Sequence, residues 1–295
     1  MSDAIRDAYS DADSDAVSVH AGASAYFGPR RSARSIAYGT WYVTEHRLRT
    51  MRAYLGSIIT GSVFNPVLYL FALGVGIGSY IDANAGARGI GGVGYLVFVG
   101  PALLVSAALT AAFEETSYPV MGGFKWTREF WAMNATPINA RQVVNGVLLA
   151  TGFRILFAVS VFWFCLAAFG ASPSGYGFLA VPVAVLSGLA FGSVTMAVAA
   201  RLEEDDGWFP IINRLIITPL FLFSGTFFPL DQLPIWLQWL GWISPLWHGT
   251  QLGRAAAYGM AEPHWLTAVH AAYIAGMLVV GLGLSWKAFS RRLSK

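Results

Sequence analysis

Residues Phe221–Leu252 read FLFSGTFFPLDQLPIWLQWLGWISPLWHGTQL. The stretch begins as the end of an apolar span and then breaks at Ser224, Gly225, Pro229 and Pro234. A short aromatic helix follows, and a second break falls at Ser244-Pro245. Backbone groups freed by such breaks find no partner in hydrocarbon. Irregular chain at membrane depth therefore persists only where protein or a water-filled cavity satisfies it. The pattern is that of a re-entrant hairpin at one membrane face, not of a plain span.

The whole chain agrees with a membrane setting. Its 295 residues are 56% hydrophobic and 12% charged, with mean hydropathy +0.55. A soluble domain carries about 25% charged residues. Several apolar stretches reach the roughly 20 residues that cross a bilayer. The net charge of +3 carries no implication of nucleic acid, because in a membrane protein the position of the cations matters. The single cysteine, Cys165, excludes an intramolecular disulfide and a cysteine-based metal cluster.

Residues 1–35 are rich in Ser, Ala and Asp and have no apolar core of the secretory-signal kind. They are expected to form a disordered cytoplasmic tail. Residues 36–55 place Arg47, Arg49 and Arg52 beside Trp41, Tyr42 and Leu48. That mix predicts an amphipathic interfacial helix with its basic groups toward anionic headgroups.

Six spans follow, at about Ser57–Ile77 (kinked at Asn65-Pro66), Tyr95–Glu115, Val143–Phe169, Phe178–Ala200, Phe209–Phe223 and Trp265–Trp286. The expected class is an all-α polytopic membrane protein, its outward re-entrant hairpin lying between spans five and six. Of 19 Lys and Arg, 15 fall on the side of the termini; Arg88 and Arg254 fall opposite, and Arg154 and Arg214 lie within spans. Without Arg6, too far from the membrane to count, the ratio is 14 to two. The excess of cations on cytoplasmic loops then places both termini inside.

The longest cytoplasmic connection, Ser117–Gln142, contains Lys125–Met133. This piece is expected to be one short amphipathic helix ending before Thr136-Pro137. A helix bridging two long spans is suited to docking a partner, or else rests on the membrane. Trp236, Trp239 and Trp242 recur every three residues and make one face of the hairpin helix aromatic. Trp anchors proteins at interfaces; the alternative is a stacking surface for sugar rings or an outer gate. Glu203, Glu204, Asp205 and Asp206 read as a solvated turn, although carboxylates can hold Mg²⁺ at a diphosphate. Glu114 and Glu115 close span two, and Arg154 and Arg214 sit near the cytoplasmic ends of spans three and five. A buried charge pair of Glu115 with either arginine is expected. Gly188-x-x-x-Gly192 permits close helix approach in span four. His248 is read as a hydrogen-bonding residue of the hairpin rather than a metal ligand.

Specific strings carry a family resemblance. NPVLYLFALGVGIG at Asn65–Gly78, EETSYPVM at Glu114–Met121, REFWAM at Arg128–Met133, SGTFFPLDQLPIWLQ at Ser224–Gln238 and SPLWHGTQLGR at Ser244–Arg254 resemble the type-2 ABC-transporter permeases. Within these they resemble most the nodulation protein J group, which exports a lipo-chitin oligosaccharide. Trp247 departs from the Thr or Ser common there. The resemblance implies a six-span permease domain at 56–288, followed by a basic cytoplasmic tail at 289–295. It implies a bacterial plasma-membrane location, two copies of a cytoplasmic ATPase that carries ATP and Mg²⁺, and a second permease subunit, identical or homologous. It also implies a coupling surface at Lys125, Trp126, Arg128, Phe130 and Trp131, and a translocation path or outer gate at Phe227, Phe228, Trp236, Trp239 and Trp242. No catalytic residue, metal or cofactor is expected on this chain, since none of Lys125, Lys287 and Lys295 sits in a G-x-x-x-x-G-K-[ST] loop. The expected function is export of a lipid-linked oligosaccharide, polysaccharide or similar amphipathic molecule. The alternatives are a drug or antibiotic efflux permease and a membrane-embedded transferase acting on a lipid-linked sugar.

Overall fold

The structure is a computed structural model and describes residues 33–84, 89–204 and 206–294. The expected tail up to residue 32, together with Arg88, Asp205 and Lys295, lies outside the described residues. The described chain is helical, with one isolated bridge between Ile90 and Val93. Five helical stretches are long and apolar enough to cross a bilayer: Ala37–Asn84, Tyr95–Lys125, Ala140–Ala168, Gly177–Ala199 and His264–Leu293. Trp208–Phe223, where the fifth span was expected, is apolar but shorter. At 1.5 Å per residue it is about 24 Å long, against the roughly 30 Å of a hydrocarbon core.

Helix α1 (Ala33–Met51) ends in a tight turn at Arg52–Tyr54. Its face of Val43, Thr44 and Arg47 is buried. The Thr44 hydroxyl donates to the Gly146 carbonyl at 3.2 Å. Arg47 is thus turned into the protein and not toward headgroups, a correction to the sequence reading; Arg49 remains exposed. Helix α2 (Leu55–Leu70) carries Pro66 and widens into a π-helical stretch, Phe71–Gly78, before α3 (Ser79–Asn84).

Helix α4 (Tyr95–Thr116) is the axis of the bundle, with Val99, Leu104, Val105, Ala108 and Ala112 fully buried. Two short helices follow, α5 (Tyr118–Lys125) and α6 (Glu129–Asn134). Helix α7 (Ala140–Ala168) starts at a reciprocal cap: Asn139 Oδ1 accepts from the Gln142 N–H at 2.9 Å, and Gln142 Oε1 accepts from the Asn139 N–H at 3.0 Å. Helix α8 is Ala180–Ala199. The short apolar helix comprises α9 (Trp208–Ile212), a π-helical turn at Asn213–Ile217 and α10 (Thr218–Phe223). Beyond the hairpin come α11 (Ile235–Trp242), α12 (Pro245–Tyr258) and α13 (His264–Leu293). The residues expected as a basic tail from 289 onward continue α13 to Leu293, because the Phe289 ring is buried.

Small residues let other helices approach α8. A Cβ on Gly188 would stand 2.9 Å from the Ala108 carbonyl oxygen, and one on Gly192 would stand 3.3 Å from the Ala112 Cβ. From the other side, Ser285 of α13 donates its hydroxyl to the Ser193 carbonyl at 2.7 Å. Lipid tails are as apolar as leucine, so close van der Waals contact of this kind holds membrane helices together. Gly188→Val should lower the thermal midpoint in detergent, at a cost of about 1–3 kcal/mol for an overpacked site. Gly283→Ala, with nothing within 4 Å of the added Cβ, should leave the midpoint unchanged or raise it slightly. Equal midpoints for the two variants would contradict this packing.

Candidate functional site

Glu115, the penultimate residue of α4, has a side chain only 2% exposed. Arg154 meets it from α7, donating from Nη1 to Oε1 at 2.8 Å. Its Nη2 donates to Glu114. From α1, Arg47 places Nη2 4.0 Å from Glu115 Oε2, and the Tyr54 hydroxyl donates to Oε1 at 3.3 Å. One buried carboxylate therefore joins α1 to α4 and α7. Of the two arginines considered, Arg154 is the partner. It lies at the midpoint of the 29-residue α7, deeper along the helix than the sequence reading put it. Arg214 is exposed and makes no ion pair among the described residues. Glu114 is not a buried charge: its side chain is 53% exposed.

The same joint reaches the loop between α4 and α7. Arg47 Nη1 donates to Glu129 Oε1 at 3.0 Å, and His46 Nε2 lies 3.3 Å from Glu129 Oε2. The expected single helix Lys125–Met133 is instead two helices meeting at a corner. The N–H groups of Trp126 and Thr127 both donate to the Gly122 carbonyl, at 2.9 and 3.0 Å, which closes α5. Arg128 then takes a left-handed backbone conformation, φ 53°. The turn folds Phe130 onto bare Gly123, and a side chain at 123 would block that approach.

This corner divides the expected coupling residues. Phe130 is fully buried, 4.9 Å from the Phe124 ring and 5.3 Å from Phe289. It supports the loop and offers no docking surface. Trp131 is half-buried and donates Nε1–H to the Phe124 carbonyl at 3.2 Å. Lys125 pairs with Glu204 at 2.9 Å, a surface contact worth roughly 0–1 kcal/mol. Trp126 and Arg128 are exposed at the corner. Arg292 of α13 covers the Phe124 ring at 4.4 Å. It also donates to the Ala200 and Leu202 carbonyls at 3.0 and 2.8 Å, satisfying the open end of α8. The loop is thus fastened to α1, α8 and α13 at once.

Above the joint lies a cleft of about 510 Å³ between α2, α4, α7 and α10. Glu114 and Arg154 stand at one part of its wall; Asn65, Thr110, Thr218 and Phe221 supply others. Both flanking helices carry π-helical turns, which are frequent at functional sites. Among the residues expected to line a path, Phe227 packs its ring edge-on to Phe221 at 5.1 Å, and Phe228 is half-buried. Trp236, Trp239 and Trp242 are exposed. Trp242 borders a second cavity of about 350 Å³ beside the hairpin.

The hairpin base is closed by polar contacts that sequence reasoning missed. The Ser224 hydroxyl donates to the Ser244 hydroxyl at 2.8 Å, both side chains being buried, and Ser244 Oγ accepts from the Leu246 N–H at 3.2 Å. Arg254, 3% exposed, donates from Nη2 to the Gly225 carbonyl at 2.8 Å and from Nε to the Phe98 carbonyl at 3.1 Å. Burial lowers its pKa to about 10, so it stays charged at neutral pH. The broken backbone thus finds partners within the protein.

Glu115→Gln should leave two cations around a neutral side chain. Breaking a buried pair costs about 3–5 kcal/mol, less here because Arg154 is partly wetted. The folded yield and thermal midpoint should fall clearly below those of Glu114→Gln. Indistinguishable variants would mean that Glu115 is no joint.

The ABC-2 type transporter family matches residues 40–258. Nodulation protein J of Rhizobium leguminosarum bv. viciae is 31% identical over 83% of this chain and 90% of that protein. Its counterpart in Rhizobium leguminosarum bv. trifolii is 32% identical over 82% of this chain and 88% of that one. In Rhizobium meliloti (strain 1021) the figures are 30%, 80% and 86%. No solved structure matches the chain. With this match over most of its length and its set of apolar spanning helices, the chain belongs to the ABC-2 type transporter family, as a multi-pass membrane permease.

Proposed function

We propose that the chain is the permease subunit of an ATP-driven exporter that moves a lipid-linked oligosaccharide, polysaccharide or similar amphipathic molecule outward. The observation that carries this reading is the joint at Glu115. It ties the cytoplasmic corner at Trp126–Arg128 to the helices walling the cleft. A push on the corner therefore reaches the cleft through buried contacts. The cleft combines hydroxyl and amide groups with apolar walls, which suits a molecule with a polar and an apolar part. Lys125 takes Glu204 of the acidic run in a surface ion pair, which favours a solvated turn over a Mg²⁺ site for a transferase.

In the proposed assembly, two copies of a cytoplasmic ATPase hold ATP and Mg²⁺. A second permease, identical or homologous, covers the cleft. The apolar residues Phe64, Leu68, Leu215 and Ile216 stand exposed on its flanking helices. The short helix Trp208–Phe223 makes the fifth of six crossings. Both termini face the cytoplasm of a bacterial plasma membrane, and Ser224–Trp247 dips into the outer leaflet and returns.

Three experiments test this. The purified chain should hydrolyse no ATP until its ATPase is added. Trp126→Ala with Arg128→Ala should then uncouple hydrolysis from export at normal folded yield, whereas Phe130→Ala should lower the yield itself. Robust hydrolysis by the chain alone would end the proposal. In a Cys165→Ser background, single cysteines at Asp231 and Gln251 should both react with an impermeant thiol reagent added outside. Reaction of either only from the cytoplasmic side would refute the topology. Mass spectrometry of molecules that co-purify with the complex separates lipid-linked sugars from drugs.

A further inference from the structure

Behind the hairpin two histidine rings face each other. His248 of α12 and His270 of α13 bring their Nδ1 atoms to 2.7 Å. The other nitrogen of His248, Nε2, lies 2.9 Å from the Trp242 carbonyl oxygen. The other nitrogen of His270, Nε2, lies 3.2 Å from Glu262 Oε1. Both rings are buried, and the Glu262 side chain is 8% exposed. Glu262 Oε2 has no hydrogen-bond partner. Trp247 stands edge-on to both rings, at 5.0 and 4.8 Å. Tyr273 stacks on His248 at 3.9 Å and donates its hydroxyl to the Ile243 carbonyl at 2.5 Å. The ionisable groups in contact with the pair are thus Glu262 and Tyr273. Arg254, further along α12, turns its guanidinium to the Phe98 and Gly225 carbonyls.

Proton counting fixes much of the chemistry. A carbonyl oxygen only accepts, so His248 Nε2 must carry a hydrogen. Two bare Nδ1 atoms at 2.7 Å would set lone pair against lone pair, so one of them carries a second hydrogen. The contact between His270 Nε2 and the carboxylate needs a third. Glu262, His270 and His248 then hold three protons and no net charge, either as carboxylate with imidazolium or as carboxylic acid with two neutral rings. A metal ion between the rings does not fit. Two ligand bonds of about 2.0–2.1 Å at a tetrahedral angle keep the nitrogens about 3.3 Å apart, whereas 2.7 Å suits N–H···N. Burial lowers the pKa of His248 to about 4, so the additional proton rests toward His270 and Glu262.

We propose that His248, His270 and Glu262 form a buried proton-binding site that latches the hairpin to the last helix. The closed pair binds three protons. A separated carboxylate with two neutral imidazoles binds two. By linkage the latch gains on the separated state as pH falls toward the ordinary imidazole range, about 6.5, and loosens as pH rises above it and the proton leaves; below that range the separated imidazoles themselves charge and bind more protons than the closed pair. The latch rests on this geometry alone; its meaning as control of an outer gate rests on the export reading.

Hydrogen exchange of the full-length chain in lipid nanodiscs tests it. After correction for the intrinsic pH dependence of exchange, protection of the Trp242–Thr250 amides should fall roughly tenfold or more between pH about 6.5 and pH about 8.5. That is the effect of losing one hydrogen bond to a charged group. Glu262→Gln should abolish this pH dependence while keeping the protection. Its amide can donate to His270 Nε2, which leaves His270 to donate from Nδ1 to His248 with no titrating carboxylate. His270→Phe should be unprotected at both pH values. Flat protection in the wild type would overturn the proposal, as would a Glu262→Gln variant that titrates like it. One equivalent of bound metal in the purified chain would overturn it too. Should His270→Phe fail to fold, the comparison of wild type with Glu262→Gln still decides.

Discussion

A carboxylate shut between two arginines is the constraint on which the rest depends. Glu115 lies where α1, α4 and α7 converge. A lone buried charge would be prohibitive there, and the two guanidiniums pair with it. Such a pair adds little net stability compared with an apolar replacement. Its effect is geometric: the three helices cannot separate without exposing an unpaired charge. Glu129 extends the joint to the loop through Arg47. The buried ring cluster of Phe124, Phe130 and Phe289 fixes the same loop to α13. Charge on one flank and aromatic packing on the other make the corner part of the bundle.

The other end of the molecule meets a different constraint. Broken backbone must be satisfied from within. Ser224 and Ser244 meet across the hairpin base, and Arg254 gathers two carbonyls there. This arginine counted in the sequence as an outward loop charge. In the fold it is a buried structural cation, and Gln251 Oε1 accepts its Nη1–H at 3.1 Å. The cleft lies between these two tightly bonded regions, flanked by helices with local π turns, which depart from regular α-helical bonding.

Much of this was legible in the chain because apolar length and proline breaks act locally. The limits of α4 and α8 differ from the sequence reading by at most about two residues, within the usual error of such boundaries. The breaks in the helix after α10 were legible from Gly225, Pro229 and Pro234, and Gly188 and Gly192 do lie where helices approach closely. What could not be read depended on contacts distant in sequence. Arg47 looked like a headgroup ligand because its carboxylates lie 68 and 82 residues away. Phe130 looked like a docking residue until Phe289 covered it. The corner at Arg128 has no glycine or proline to announce it. His248 and His270 are 22 residues apart on different helices; the signal that could have joined them was the departure at Trp247, whose ring walls the pair.

The central claim is that the coupling corner and the interfacial helix move as one body while the cleft changes shape. Pulsed electron spin resonance tests it most directly, on the permease bound to its ATPase in lipid. Spin labels at Arg49 and Arg128 report the joint, and labels at Arg128 and Gln232 report the path from corner to hairpin. On adding ATP, the first distance should stay constant and the second should shift. A first distance that changes with nucleotide while the second stays fixed would contradict the account.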